Sequence, residues 1–347
     1  MQHKLLLFTL FILFCLPVKA STSATILVYH HVSTSTPPST SISPEKLKEH
    51  LEYLAANHNV VSLPELVQSL QTGKSLPKKA VAITFDDGFK NILENGHPLL
   101  KQHQFPYTIF INPYDVGQGN KLNWEEMRRM TSEGVTFANH FWDHRHLLDK
   151  TAYANDESWL AETKKLILKA QNEIESNLGL SFRYLAYPFG EYDADIAELL
   201  KNLNFVGFAQ HSGAVGQYTN WQAVPRFPAA GIYSNLRTLK VKMASLNMPV
   251  IENSQHQVAF SKAPTKIDYK LTLNTEDLRI SQINCFYKGK NIEIERATDS
   301  IRINIAEKPP VGRSRVNCTV PSKSQNGCFY WHSQPMFVAK ADGSYLD

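Results

Sequence analysis

Long apolar runs are nearly absent from this 347-residue chain. After the first twenty residues no stretch is long and apolar enough to span a bilayer, which excludes an integral membrane segment there. Charge of one sign is not concentrated anywhere. The net charge is only +4 and no Lys/Arg block stands out, so nothing argues for a nucleic-acid partner. Cysteine is scarce, with four in the chain. No internal repeat and no long low-complexity segment occurs, which removes repeat architectures.

What is present begins with MQHKLLLFTLFILFCLPVKA. Lys4 gives a positive start, Leu5 to Leu16 an apolar core and Val18-Lys19-Ala20 a cleavage site, so residues 1–20 read as a secretory signal peptide. Cys15 follows the bulky Phe14, where a lipid-attachment site needs a small residue. The mature chain is expected to be exported: periplasmic, cell-surface or secreted. Export permits one disulfide among Cys285, Cys318 and Cys328, with one thiol left over.

From Ala24 to about Phe227 apolar strand patterns alternate with helical ones. TILVYHHV, AVAITF, PYTIFIN, VTFANH, RYLAYPFG and FVGFAQ read as strands. SPEKLKEHLEYLAANH, NWEEMRRMTSEG, ESWLAETKKLILKAQNEIESNLG and DADIAELLKNLN read as helices, capped by Ser43, Asn123 and Asp193 where a cap is visible. This alternation means parallel βα units. Closure into a (β/α) barrel is expected, with an open doubly wound sheet as the alternative. After about Met248 the pattern changes to short alternating segments between turns, each read as a strand: KIDYKLTL, RISQINCFYKG, KNIEIERA, SIRINIA, RSRVNCTVP and CFYWHSQPMFVA. Residues 21–248 therefore read as one α/β domain and residues 249–347 as a small all-β sandwich.

Polar residues gather at the predicted strand ends. Asp86 and Asp87 close AVAITF, His140 and His144 follow VTFANH, Tyr187, Pro188 and Phe189 follow RYLA, and His30 ends the first strand. In a βα barrel these ends converge on one face. Two histidines and a carboxylate suit zinc or a similar divalent ion with a position left open for water. One aspartate of the pair then ligates the ion, which removes the repulsion between them, and the other is free to take a proton. Each feature alone has a plain reading: Asp-Asp-Gly as a turn, the histidines as a solvated pair, Pro-Phe-Gly as loop punctuation. Their joint placement outweighs these.

TFDDG (Thr84 to Gly88) and HFWDHRHL (His140 to Leu147) resemble the first two motifs of the polysaccharide deacetylases, the NodB-homology enzymes of carbohydrate esterase family four. AYPFGEYD (Ala186 to Asp193) resembles the third. The resemblance covers roughly Ala24 to Ala230. It implies a distorted (β/α) barrel of the NodB type and metal-dependent removal of acetyl groups from an N-acetylated polysaccharide. By motif position Asp86 is the base, and Asp87, His140 and His144 are the metal ligands. The third motif forms a groove wall, with a backbone N–H near Phe189 on the oxyanion.

The chain departs from the family at Ala186, where an arginine that orients the base is usual. Arg226 is the expected replacement, with Arg183 the weaker candidate. Phe141 replaces a small hydroxyl residue, and the late Leu-x-His motif that supplies the acid is missing. For the acid, His30 is preferred over His211, which then belongs to the substrate-binding set; period-two alternation puts His31 on the other face, in a structural role, and Asp86 serving as both base and acid is the fallback. YHHV and the Ala-for-Arg change resemble the branch acting on poly-β-1,6-N-acetylglucosamine. The missing arginine and acid motif also leave room for a non-catalytic glycan-binding protein, and a hydrolase of a small amide is a third possibility. The sandwich is expected to be an Ig-like stabilising or tethering module, with glycan binding through CFYWHSQPMF as the alternative. Cys285 and Cys318, both mid-strand, are expected to pair across its interior, with a Cys318–Cys328 hairpin bridge as the alternative.

Overall fold

The structure, a computed structural model, describes residues 23–179 and 181–346. The signal-peptide reading of residues 1–20 lies outside the described residues. Among the described residues no helix is long and apolar enough to cross a membrane.

Six strands form one parallel row: β1 (Ser23–Tyr29), β2 (Ala80–Phe85), β3 (Tyr107–Ile111), β4 (Thr136–Asn139), β5 (Tyr184–Ala186) and β6 (Val206–Phe208), in that order. All six residues of β2 are buried, as its unbroken apolar run requires of a strand covered on both faces. The sheet curls because one segment joins its two ends. Val224 bridges to Phe208 of β6, and Phe227 and Pro228 pair with Leu27 and Val28 of β1.

Side chains split by period two. One set, including Leu27, Val81, Ile83 and Ile109, packs beneath the helix α1 (Pro44–Asn57) through Leu47, Leu51 and Leu54. The other set, Ile26, Ala82, Phe110, Ala138, Ala186 and Phe208, lines the inside of the curl. Helix starts follow side-chain caps. Ser43 accepts from Lys46 N, Asn123 and Glu126 form a reciprocal capping box at Trp124–Ser132, and Asp193 caps Ala194–Asn202. A helix at Leu63–Gln71, capped by Ser62, was not expected from the pattern. The first strand stops at Tyr29; His31 and Val32 pair separately with Ser41 and Ile42.

The C-terminal part is two sheets around one core. One holds β7 (Asn284–Tyr287), β8 (Gly312–Pro321) and β9 (Phe329–Val338). The other holds Ile267–Leu273 and Ser300–Ile305. KNIEIERA, read as one strand, splits between them: Lys290–Ile292 pairs with β7 and Ile294–Arg296 with Ser300–Ile305. Leu246 and Asn247, placed in the first domain by sequence, pair with Tyr330 and Trp331 of β9.

Cys285 and Cys318 are bonded, with Cys328 outside the pair. They do not reach across the sandwich. They sit directly opposite each other on neighbouring strands β7 and β8, because the antiparallel register aligns them. Non-reducing peptide mapping is expected to recover Cys285 and Cys318 in one linked peptide and Cys328 as an alkylated thiol. A Cys318–Cys328 peptide, or three free thiols, would contradict this pairing.

Candidate active site

The inner face of β2 runs Ala82, Thr84 and, one step past the strand, Asp86. Period two therefore turns the Asp86 carboxylate inward, where it is fully buried. A buried carboxylate needs a partner. Arg226, also fully buried, provides it: Nη1 donates to Oδ1 at 2.7 Å and Nη2 to Oδ2 at 2.8 Å. The guanidinium is itself held by Nε to the Ala209 carbonyl at 3.0 Å and Nη1 to Thr84 Oγ1 at 3.3 Å. Arg226 reaches this place from the segment that joins β6 to β1, with its guanidinium carbon 5.3 Å from the centre of the Phe110 ring. Burial alone would raise the Asp86 pKa, but the Arg226 guanidinium, with His140 beyond it, brings it below the ordinary carboxylate value. Arg183 is elsewhere; it donates to the Leu203 carbonyl at the surface.

Asp87 points differently because its backbone is left-handed, at φ 72°, followed by Gly88 at φ 63°. A Cβ on Gly88 would lie 2.9 Å from Ile111 Cγ2, so glycine is required there on two counts. The turn brings Asp87 Oδ1 to 3.2 Å from His140 Nε2 and 3.3 Å from His144 Nε2. His140 follows β4, and its backbone N–H donates to Ile111 O at 2.9 Å. Its Nδ1 lies 2.8 Å from the Ala186 carbonyl, which makes Nδ1 the donor and leaves Nε2 facing Asp87. One ligand atom from each of Asp87, His140 and His144 lies within 4.8 Å of the others. Asp87 Oδ1 and His140 Nε2 are both buried without a hydrogen-bond partner. Two orphaned acceptor-type atoms, in a His₂Asp set, fit a divalent cation.

The electrostatics couple the three groups. Burial would raise the Asp87 pKa, yet the His140 imidazole, with His30 and His144, holds it far below the carboxylate range. Burial would lower His140, yet Asp86 and Asp87 raise it. Burial, then His140, pushes His144 down to about 4, so it is neutral at neutral pH and free to ligate. Of the seven non-glycine residues with left-handed φ among the described residues, Asp87, Phe141 and Phe189 sit in the three motif loops. Such strain gathers where side chains must be aimed.

His30 lies outside the strand, partly exposed, within electrostatic range of Asp86, Asp87 and His144. His31, expected on the opposite face, is close by as well, because the strand ends before it and alternation no longer applies. Its ring stacks on Phe89 at 3.5 Å, and Nδ1 pairs with the Asn91 amide at 3.0 Å. Phe189 presents its edge to His144 with ring centres 4.5 Å apart, and Pro188 is buried beside it. Tyr187, expected on the groove wall, is fully buried, and its hydroxyl donates to the Gln222 carbonyl at 2.7 Å, so it supports the loop from behind. His211 turns away. It lies with His332 on the wall of a cavity of about 690 Å³, and burial, then His332 and Arg315, lowers its pKa to about 3.

Two residues at this mouth have no sequence signal. Lys121 Nζ donates to the Asp87 carbonyl at 2.8 Å and stands 3.8 Å from the centre of the Phe89 ring. It arrives through an isolated antiparallel pairing of Phe89 with Lys121. Gln210 Nε2 lies 3.5 Å from Asp86 Oδ2, and a Cβ on Gly190 would lie 2.7 Å from the Gln210 Cβ. Nothing in the local pattern around either residue points to the strand ends.

The fold and site define a curled, mostly parallel α/β half-barrel whose candidate functional groups stand at the C-terminal ends of its strands. Residues 73–208 match the family model described as polysaccharide deacetylase, and this part of the chain is a polysaccharide deacetylase domain, of a family that hydrolyses N-acetyl amide bonds. The poly-beta-1,6-N-acetyl-D-glucosamine N-deacetylase of Staphylococcus aureus (strain MSSA476) is 28% identical over 197 residues, covering 54% of this chain and 67% of that protein. Among solved structures, IcaB from Ammonifex degensii has a TM-score of 0.54 at 24% identity, covering 60% of this chain and 92% of that one. The deacetylase PplD of Streptococcus pyogenes, in complex with acetate, has a TM-score of 0.55 at 21% identity, covering 62% and 97%. These two likenesses are of fold.

Proposed function

We propose that the chain is an exported, metal-dependent N-deacetylase of poly-β-1,6-N-acetylglucosamine. In this reading residues 21–248 are the catalytic domain and 249–347 an Ig-like module. The observation that carries it is the Asp87–His140–His144 set beside the buried, arginine-held Asp86. The name of the staphylococcal relative supports the choice of polymer. A divalent ion held by Asp87, His140 and His144, zinc or a similar one, supplies Lewis acidity and makes water a usable nucleophile near neutral pH.

The chain's own residues do the rest. Asp86, kept ionised by Arg226, takes the proton of the attacking water. A backbone N–H near Phe189 meets the negative charge developing on the acetamide oxygen. His30 gives a proton to the leaving nitrogen as the C–N bond breaks, releasing acetate and a free amine on the sugar. The departure that left room for a non-catalytic barrel, alanine at position 186, is answered in this reading by Arg226.

The test is acetate release from N-acetylglucosamine oligomers with and without chelator. Release from β-1,6 oligomers that stops on chelation supports the reading. Release from β-1,4 oligomers alone would move the substrate, and none from either would remove the function. For the acid, His30→Ala is expected to keep its metal but lose turnover, with His211→Ala mild, since geometry precedes pKa in such a choice. The reverse pattern would transfer the role to His211. Little effect from either would leave Asp86 as base and acid in turn.

A further inference from the structure

The C-terminal sheets touch the catalytic centre. Residues directly opposite on β8 and β9 share a face, so Arg313 with Phe337 and Thr319 with Trp331 point the same way. That face meets the barrel. Trp331 stands edge-on to Phe227 with ring centres 5.3 Å apart, and Phe337 to Tyr192 at 5.9 Å. Arg315 Nη2 donates to the Tyr233 hydroxyl at 3.2 Å. Arg313 reaches furthest: Nη1 donates to the carbonyl oxygen of Phe189 at 2.9 Å, and its guanidinium carbon is 5.5 Å from the Phe189 ring centre.

Phe189 is a demanding residue to hold. Its φ is +57°, a conformation that costs free energy for any side chain other than glycine. Its ring is fixed from both sides, edge against His144 and face stacked on His146 at 3.9 Å. His146 Nδ1 is 2.8 Å from Oε2 of the fully buried Glu191. The loop is thus pinned at its ring by His146 and at its carbonyl by Arg313, and the ring pinned this way packs on a residue of the His₂Asp set. The Arg313 hydrogen bond is charge-assisted and, from the solvent-facing side, restrains a strained peptide unit.

We propose that Arg313 is a positioning residue of the active site: it clamps the Phe189 carbonyl and thereby holds the third motif loop against His144, so that the C-terminal sheets complete the catalytic centre. The proposal rests on the deacetylase reading only for its kinetic consequence; the geometric claim stands apart from it.

The experiment compares full-length wild type, Arg313→Ala, Arg313→Lys and, as a control, Arg302→Ala, which removes an arginine paired with Asp268 on the other sheet. Each is measured for metal content, melting temperature, kcat and KM on β-1,6 N-acetylglucosamine oligomers, and the His144 Cε1–H NMR signal, which the Phe189 ring shifts by its ring current. Arg313→Ala is expected to lower kcat roughly tenfold, as small misplacements near reacting groups do, with metal content and KM unchanged and the His144 signal moved. Arg313→Lys is expected to recover part of kcat, since one ammonium can still reach the carbonyl. Arg302→Ala is expected to change none of these. An unmoved His144 signal in Arg313→Ala overturns the clamp whatever the activity. So does a kcat loss matched by lost folding, or an effect confined to KM, which would make Arg313 a substrate contact. Wild type inactive on every oligomer, with the His144 signal still moved by Arg313→Ala, would instead overturn the deacetylase reading and leave the clamp standing.

Discussion

Asp87→Ala, His140→Ala and His144→Ala are each expected to purify without stoichiometric metal and without acetate release. Three protein ligands are about the minimum for a tight catalytic site, and each change removes one. The three ligand atoms crowd within 4.8 Å with two of them orphaned, so the site has no other means of satisfying them. Elemental analysis checks the claim, and full metal content in all three variants would remove the mechanism. The same groups set a pH dependence. A ligand must shed its proton to bind, so proton and metal compete. Asp86 and Asp87 raise the His140 pKa, whereas His144 stays neutral down to about 4. Metal content after dialysis is therefore expected to fall with acidification first through the range in which His140 protonates, well before His144 does. Loss confined to pH below about 4 would assign the weak point to His144 instead.

The second large effect belongs to Asp86. Asp86→Asn is expected to keep its metal and lose turnover by roughly 10²-fold or more, because it removes the proton acceptor and not a ligand. If that variant lacks metal, the two aspartates have exchanged roles. The change has a structural consequence too. Arg226 is fully buried against Asp86, so either single change strands a buried group. Breaking such a pair costs about 3–5 kcal/mol, whereas replacing both members with apolar groups is often neutral. Asp86→Leu and Arg226→Met are therefore each expected to unfold at lower denaturant than the Asp86→Leu, Arg226→Met double variant, which is itself inactive. Additive destabilisation would mean that the pair is not what satisfies either group. Because the Asp86 pKa is depressed in the folded state, the pair's stabilisation is complete above the ordinary carboxylate range and is lost as the pH falls below it.

Much of this was legible before any coordinates. The unbroken apolar run of Ala80–Phe85 and the caps at Ser43, Asn123 and Asp193 are local signals, and the elements form where those signals stand. Asp86 pointing inward follows from period two along its own strand. The misses have a common cause. His31 was placed by alternation, but alternation lapses once the strand ends at Tyr29. Tyr187 was placed by motif position, but its ring turns into the core to stack on Tyr192. KNIEIERA was read as one strand because composition cannot say which sheet an alternating residue joins.

Sequence by itself determined the alternation of strands and helices and the placing of Asp86, Asp87, His140 and His144 at strand ends, because these depend on residue type and on spacing within one segment. Tertiary structure decided which partner meets which. Arg226 reaches Asp86 across 140 residues, Lys121 reaches the Asp87 carbonyl across 34, and Arg313 reaches the Phe189 carbonyl across 124. Each is a single long side chain whose target is set by how sheets and loops pack. Arg226 was expected beside Asp86 through the family resemblance, whereas nothing in the local pattern around Lys121 or Arg313 names what either holds.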